Sequence, residues 1–279
     1  MPTINCKGNL IDLNHPKVMG ILNLTPDSFY DGGFYTGEKR ILQQVERMLT
    51  EGATFIDVGA YSSRPGAKHI SEEDELSRLM PALASILTRF PEILISVDTF
   101  RSGIAQKAVQ AGAAMINDIS AGQLDEQMLD VVAELQVPYC MMHMPGTPQN
   151  MQNSTNYSDV LQEIMHFFTK RIQLARAKGI NDLILDVGFG FGKTLEQNYM
   201  LLKNLDLFQS LDLPLLIGLS RKSMLYKLLE LAPEDALNAT SVANTLALTK
   251  GANILRVHDV KEAVQCIKIH AIYDNSNYE

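Results

Sequence analysis

The stretch LILDVGFGFGKT, residues 183–194, decides how the chain is read. Three alternating glycines, a lysine and a threonine suggest a phosphate cradle. The spacing rejects it. A P-loop needs four residues between its first glycine and its Gly-Lys pair. Here only residues 189–191 separate Gly188 from Gly192, and Val187 stands one place earlier. The dinucleotide pattern G-x-G-x-x-G fails as well, because Gly192 arrives one residue too soon. What remains is a short apolar run that ends in an acid and opens into glycines.

That unit recurs along the chain. VMGILN (18–23), FIDVGA (55–60), ILISVDT (93–99), AMINDIS (114–120) and VPYCMMH (137–143) precede it. PLLIGLS (214–220) and NILRVHD (253–259) follow, which makes eight runs with LILDVGFG (183–190). They are continuously apolar rather than alternating, as strands buried on both faces are. Helical segments lie between them. EKRILQQVERMLTEGA places Ile41, Val45, Met48 and Leu49 on one face and ends near Gly52. SEEDELSRLMPALASIL opens with Ser71 and has Asp74 three residues on, a capping-box pattern. YSDVLQEIMHFFTKRIQLARAKG is long, amphipathic and ends at Gly179, and SVANTLALTKG and DVKEAVQCIKIHAIY complete the set. Eight strands alternating with helices over about 250 residues predict an α/β fold, a (β/α)8 TIM barrel. Residues 1–279 read as one domain, without linker or low-complexity tract. An open doubly wound sheet is the alternative, but no switch point is visible. TINCKGNLIDL, ahead of the first run, predicts a short N-terminal β-hairpin under the barrel's bottom.

Composition fits this reading. Of 279 residues, 46% are hydrophobic and 20% charged, which suits a large buried core. A net charge of −8 argues against nucleic acid or an anionic membrane as partner, though not against an anionic small molecule met by local charge. No apolar run approaches the roughly 18 residues of a membrane span, and MPTINCKGNLIDLNHPKV lacks a signal-peptide core. Cys6, Cys140 and Cys266 are far apart and odd in number, so reduced thiols and a cytoplasmic location are expected.

A barrel of this kind carries its chemistry at the C-terminal ends of its strands. Those ends supply Asn23, Asp57, Asp98, Asn117 with Asp118, His143, Asp186, the SRKS turn at 220–223, and Arg256 with His258 and Asp259. Asp118 alternates to the face opposite Asn117 and is expected to be structural. Asp57 either bonds loop backbone or acts directly. His143 reads as a hydrogen-bonded strand-end residue, and Met142 lies near the mouth. His15, His69, His166 and His270 show no metal-ligand spacing. The glycines after Asp186 let backbone lie flat at the mouth, which turns Phe191 toward the cavity. Lys193 either points to solvent or caps the loop.

Seven segments in register carry a family resemblance: MGILNLTPDSFYDGG, SSRPGA, SVDTFR, INDISAG, GFGFGKT, GLSRKS and LRVHDV. With them the chain resembles the dihydropteroate synthases, folate-pathway enzymes inhibited by sulfonamides. The resemblance implies that para-aminobenzoate displaces pyrophosphate from 6-hydroxymethyl-7,8-dihydropterin pyrophosphate, giving 7,8-dihydropteroate, with magnesium on the pyrophosphate. It also implies roles. Asp98, Asn117, Asp186 and Lys222 would bind the pterin, whose donor edge suits a carboxylate such as Asp186. Asn23, Ser63, Arg64, Arg256 and His258 would bind the pyrophosphate, with Asn23 as the protein's metal ligand. Phe29, Pro65, Phe191 and Ser223 would bind para-aminobenzoate, with the carboxylate at the start of a helix after SRKS. Asp98, Lys222 and Arg256 would form the catalytic group. In this family pyrophosphate is thought to leave before the amine attacks, which needs negative charge near the ring and positive charge on the departing anion. A homodimer through helices of the C-terminal half is implied too.

Loop 2 reads GAYSSRPG where GGESTRPG is usual, so Tyr61 replaces a glutamate, and DVG at 186–188 replaces DPG. Tyr61 has no carboxylate with which to take over a role of that glutamate. A pterin-binding methyltransferase barrel shares the Asp/Asn pocket but has no need of SRKS. An inactive pterin-binding paralogue is the remaining alternative.

Overall fold

The computed structural model describes residues 2–24, 34–62 and 69–275. Strands β1 (Thr3–Cys6) and β2 (Asn9–Asp12) pair antiparallel as the expected hairpin. Eight strands follow: β3 (Lys17–Asn23), β4 (Phe55–Gly59), β5 (Leu94–Asp98), β6 (Met115–Asp118), β7 (Tyr139–Met142), β8 (Leu183–Asp186), β9 (Leu216–Ile217) and β10 (Ile254–Val257). Their pairings are all parallel, in the order β8-β7-β6-β5-β4-β3-β10-β9. An isolated parallel bridge between Leu185 and Leu215 brings β8 and β9 together at the seam. Neighbours in sequence are neighbours in space, so the order never reverses as it does in a doubly wound sheet.

Capping fixes where the outer helices begin. Ser71 and Asp74 form the predicted capping box at the start of Glu72–Arg89. Asp159 accepts from Leu161 and Gln162 N–H at the start of Val160–Ala177. Thr194 and Gln197 make a second capping box, so the glycine loop runs straight into the helix Leu195–Lys203. These side chains satisfy N–H groups that the first helical turn leaves unpaired.

Alternation along the strands divides the barrel interior into a dry floor and a polar mouth. Successive side chains point to opposite faces, so Phe55 and Asp57 share a face, as do Met115 and Asn117, Ile184 and Asp186, and Ile254 and Arg256. The first member of each pair packs into one buried cluster with Met19, Cys140 and Leu216. The second lies one step nearer the C-terminal end. The hairpin closes the floor from below: Ile4, Cys6 and Leu13 join the same cluster. Asn5 N–H bonds the Asp182 carboxylate at 3.0 Å and Asn253 donates to Leu13 O at 2.9 Å, next to where β8 and β10 start. Burying side chains such as Ile4 and Leu13 stabilises the fold by about 1.5–3 kcal/mol each. It also keeps water from the underside of the polar layer.

Candidate active site

Arg256 ties the mouth together. Its Nε donates to Asp57 Oδ2 at 2.6 Å and its Nη2 to Asp98 Oδ2 at 2.7 Å, so one guanidinium spans β10, β4 and β5. Asn117 on β6 donates its amide N–H to the same Asp57 oxygen at 3.1 Å. The other Asp57 oxygen is buried and has no hydrogen-bond partner among the described residues, and neither has Ser96 Oγ on the neighbouring strand. Asp57, left open in the sequence as backbone tether or actor, is thus the residue that orients both Arg256 and Asn117. The signal for it was an acid placed mid-strand, in FIDVG, with no loop to explain it.

Burial pushes the Asp98 carboxyl up to about 7, against the pull of Arg256. Burial also works against the charge of Arg256, but Asp57 and Asp98 more than offset that and raise its pKa. Asp186 is raised by burial, opposed by Lys222, the Gly188 N–H and Arg256. Carboxylates and cations at the mouth therefore support one another's charge, while for Asp98 and Asp186 burial remains the larger effect.

The second half of the site is the glycine loop. Gly188, Gly190 and Gly192 all have positive φ, at 70°, 79° and 57°. A Cβ at Gly188 would lie 2.0 Å from His143 O, so no other residue fits there. Gly188 N–H donates to Asp186 Oδ1 at 2.8 Å. The carbonyls then turn toward cations. Lys222 Nζ donates to Phe189 O and stands 4.7 Å from the centroid of the Phe191 ring. Burial lowers the Lys222 pKa to about 8, while Asp186 supports its charge. Lys193 is only 5% exposed, so the solvent-pointing alternative is set aside and the capping one stands. Its Nζ reaches Gly188 O, Phe191 O and His143 Nδ1. Phe191 is half-buried and faces the Lys222 ammonium.

Ser220 and His258 meet beside these groups. The backbone N–H of His258 donates to Ser220 Oγ at 3.2 Å, and the same hydroxyl lies 3.0 Å from His258 Nδ1, so the serine fixes the orientation of the imidazole ring. Arg221, with φ 53°, grips Asp259 through Nε and Nη2 at 3.1 and 2.7 Å, locking the SRKS turn to the end of β10. Ser223 follows at the first position of the next helix and is exposed. That helix is a single turn, Ser223–Tyr226, shorter than SRKSMLYKLL suggested. An anion there would meet the free N–H groups and the Ser223 hydroxyl rather than a full helix dipole. Asn23 ends β3, half-buried. Asp118 is structural as expected: it accepts from Ser120, Gly122 and Tyr139. Phe29, Ser63, Arg64 and Pro65 lie outside the described residues.

Tyr61, which stands where a glutamate is usual, is buried. Its hydroxyl accepts from Gln149 at 2.7 Å, and its ring meets Phe100 edge-on at 5.0 Å and carries Arg101 at 5.5 Å. Packing has replaced a charge at this position.

Three comparisons place this geometry among known proteins. The family model described as pterin binding enzyme matches residues 19–258. The dihydropteroate synthase of Escherichia coli K12 is 44% identical over 266 residues, covering 94% of this chain and 93% of that protein. The crystal structure of Yersinia pestis dihydropteroate synthase in complex with a sulfonamide drug is 43% identical, with a TM-score of 0.92, covering 98% of this chain and 100% of that one. Xanthomonas albilineans dihydropteroate synthase with 4-aminobenzoic acid is 38% identical at a TM-score of 0.92, covering 99% of both chains.

The raised Asp98 carboxyl sets a pH dependence of stability. Protonation of a group whose folded pKa is raised stabilises the fold fully below the unfolded value, 3.8, and that contribution is lost as pH rises through about 7. Asp98→Asn does not titrate. Its melting temperature relative to the unsubstituted protein should therefore climb between about pH 4 and about pH 8. A difference that stays flat or falls across that range would show that the carboxyl titrates normally.

Proposed function

The chain belongs to the dihydropteroate synthases of the pterin-binding enzyme family, and from that premise we infer how its barrel mouth joins 6-hydroxymethyl-7,8-dihydropterin pyrophosphate to para-aminobenzoate with release of pyrophosphate. The observation that carries the reading is the meeting of Lys222 with the Phe189 carbonyl and the Phe191 ring, at the same barrel end as Asp186 and the Asp57–Arg256–Asp98 bridge.

The pterin's amino and ring N–H donors fit the acceptor-only carboxylate of Asp186, whose charge Lys222 and Arg256 support. Asn117 gives one amide N–H to Asp57 and keeps its carbonyl for a ring donor. Among the described residues Arg256 uses two N–H groups, on Asp57 and Asp98, so three of its five donors remain there for the pyrophosphate. His258, its ring oriented by Ser220, stands beside this anion end of the site. As pyrophosphate leaves, positive charge grows on the pterin methylene and ring, and Asp98 faces that charge from a site shielded by the apolar floor. The aniline nitrogen is already nucleophilic and needs no dedicated base. Para-aminobenzoate would lie along the Lys222 stem and the Phe191 ring, its carboxylate at Ser223.

Magnesium suits this chemistry as a companion of the pyrophosphate. Among the described residues no cluster of three or more His, Cys, Asp or Glu side chains could hold a metal. Asn23 offers one neutral oxygen, so it and the pyrophosphate would hold the ion together. The ion would supply charge neutralisation on the leaving group.

Two broader properties complete the proposal. Val242 and Leu246 on the helix Leu237–Thr249, and Ile269 and Ile272 on Val260–Asn275, are at least 50% exposed. Apolar surface on two contacting C-terminal helices supports a homodimer through them. Sedimentation should give a dimer that Ile272→Glu weakens; a monomer at micromolar concentration removes the idea. No helix among the described residues is long and apolar enough to cross a membrane, and the free thiols of Cys6, Cys140 and Cys266, all buried, support a cytoplasmic location.

Pyrophosphate release should require dihydropterin pyrophosphate, para-aminobenzoate and magnesium together, and a sulfonamide should compete with para-aminobenzoate. Without pterin pyrophosphate, calorimetry should detect only weak magnesium binding. A folded protein that binds the pterin yet releases no pyrophosphate would instead favour the methyltransferase-type or inactive reading. Tight magnesium binding to the free protein would reject the shared-ligand arrangement.

A further inference from the structure

The glycine loop has a handle on each side. Four consecutive carbonyls, Gly188 to Phe191, accept from side chains: Gly188 O and Phe191 O from Lys193, Phe189 O from Lys222, and Gly190 O from Gln152. Gly190 N–H in turn donates to Asn198 Oδ1 at 2.7 Å. Of the four, the Phe189 carbonyl is the one that serves the proposed substrate lysine, Lys222.

Lys193 is well matched to this task. An ammonium has three N–H donors, and three acceptors stand at 2.9, 3.0 and 3.1 Å: Gly188 O, Phe191 O and His143 Nδ1. His143 O lies at the outer limit, 3.4 Å. His143 can accept because its ring is neutral: burial, then the Lys193 charge, holds its pKa down to about 2. Its ring is fixed edge-on against Phe167 at 4.9 Å. The cation itself has no carboxylate in hydrogen-bond contact among the described residues, and burial lowers its pKa to about 7 while Asp186 supports the charge. A buried cation satisfied wholly by neutral acceptors is an expensive way to close a surface turn.

We propose that Lys193, seated on His143, is a positioning residue that holds the peptide planes of residues 188–191 so that the Phe189 carbonyl and the Phe191 ring stay on Lys222. Glycines at 188, 190 and 192 leave those planes few steric barriers to flipping. Drawing Gly188 O and Phe191 O to one side leaves Phe189 O on the other, toward Lys222. Asp186 depends on Lys193 less, because its backbone is held by strand pairing, with His143 N–H donating to Asp186 O at 3.0 Å. The loss of Lys193 should therefore disturb the para-aminobenzoate side more than the pterin side.

This inference rests on the reading of the mouth given above, and unsubstituted protein serves as the control that separates the two. If it releases no pyrophosphate, the reading itself fails. If it turns over, Lys193→Met should raise KM for para-aminobenzoate by about tenfold or more while KM for dihydropterin pyrophosphate moves by less than about threefold. His143→Gln keeps an acceptor near Nζ and should show a smaller change with the same asymmetry. It decides the matter if the Met variant does not fold. Equal rises in both KM values, or a lower melting temperature with both KM values unchanged, would overturn the proposal and make Lys193 a purely structural plug.

Discussion

A loop whose carbonyls converge on cations is the inverse of a phosphate cradle, in which N–H groups converge on an anion. This inversion underlies the site. At Gly188–Phe191 the carbonyls accept from two lysine ammonium groups and one amide. Only glycine tolerates the required turn against His143 O. The result is a cation, Lys222, held at the mouth by dipole and ring, with no carboxylate in contact among the described residues. An ion-paired lysine would have little reason to seek a substrate. One held by a carbonyl and an aromatic face keeps donors and charge available to both partners of a condensation.

The opposite side of the mouth is balanced by formal charges. Asp57 and Asp98 share Arg256, and Asp57 also fixes Asn117. Neither arrangement would survive in water-filled surroundings with the same strength, since exposed ion pairs contribute little. The hairpin and the apolar floor supply the dry environment. Burial there raises Asp98 and Asp186 above the ordinary carboxylate range, and Arg256 and Lys222 oppose the rise. Preorganised charges that cannot relax into water suit a reaction in which charge separates between a leaving anion and a ring.

The sequence made the barrel legible because buried parallel strands are continuous apolar runs, and because each ended in a polar residue. Asp98, Asn117, Asp186, Lys222 and Arg256 could be placed at one end on that basis alone. Three things were harder. Asp57 sits within a strand, where an acid has no local partner to announce its role. Lys193 follows glycines in a stretch that looks like a solvent-facing turn, and its burial depends on His143, fifty residues away in sequence. The helix after SRKS is regular for one turn only, and looser i→i−4 bonds carry the winding to Leu229 before Glu230, at φ 55°, turns the chain and Leu231 N–H bonds Tyr226 O. Tyr61 shows the reverse case: a missing carboxylate was plain in the sequence, but the aromatic packing that replaced it came from Phe100 and Arg101, on a different strand end.

Lys222 is where these constraints meet, and two substitutions there separate a substrate contact from a loop tether. Lys222→Met keeps most of the stem and removes the charge. Lys222→Arg keeps the charge but imposes a planar fork where a compact donor fits. Melting temperature and pyrophosphate release should be measured for both. If Lys222 contacts both substrates, each variant stays folded with a melting temperature near that of the unsubstituted protein, and each loses most of its turnover. A Met variant that melts early, together with an Arg variant that regains full stability and full turnover, would contradict that role.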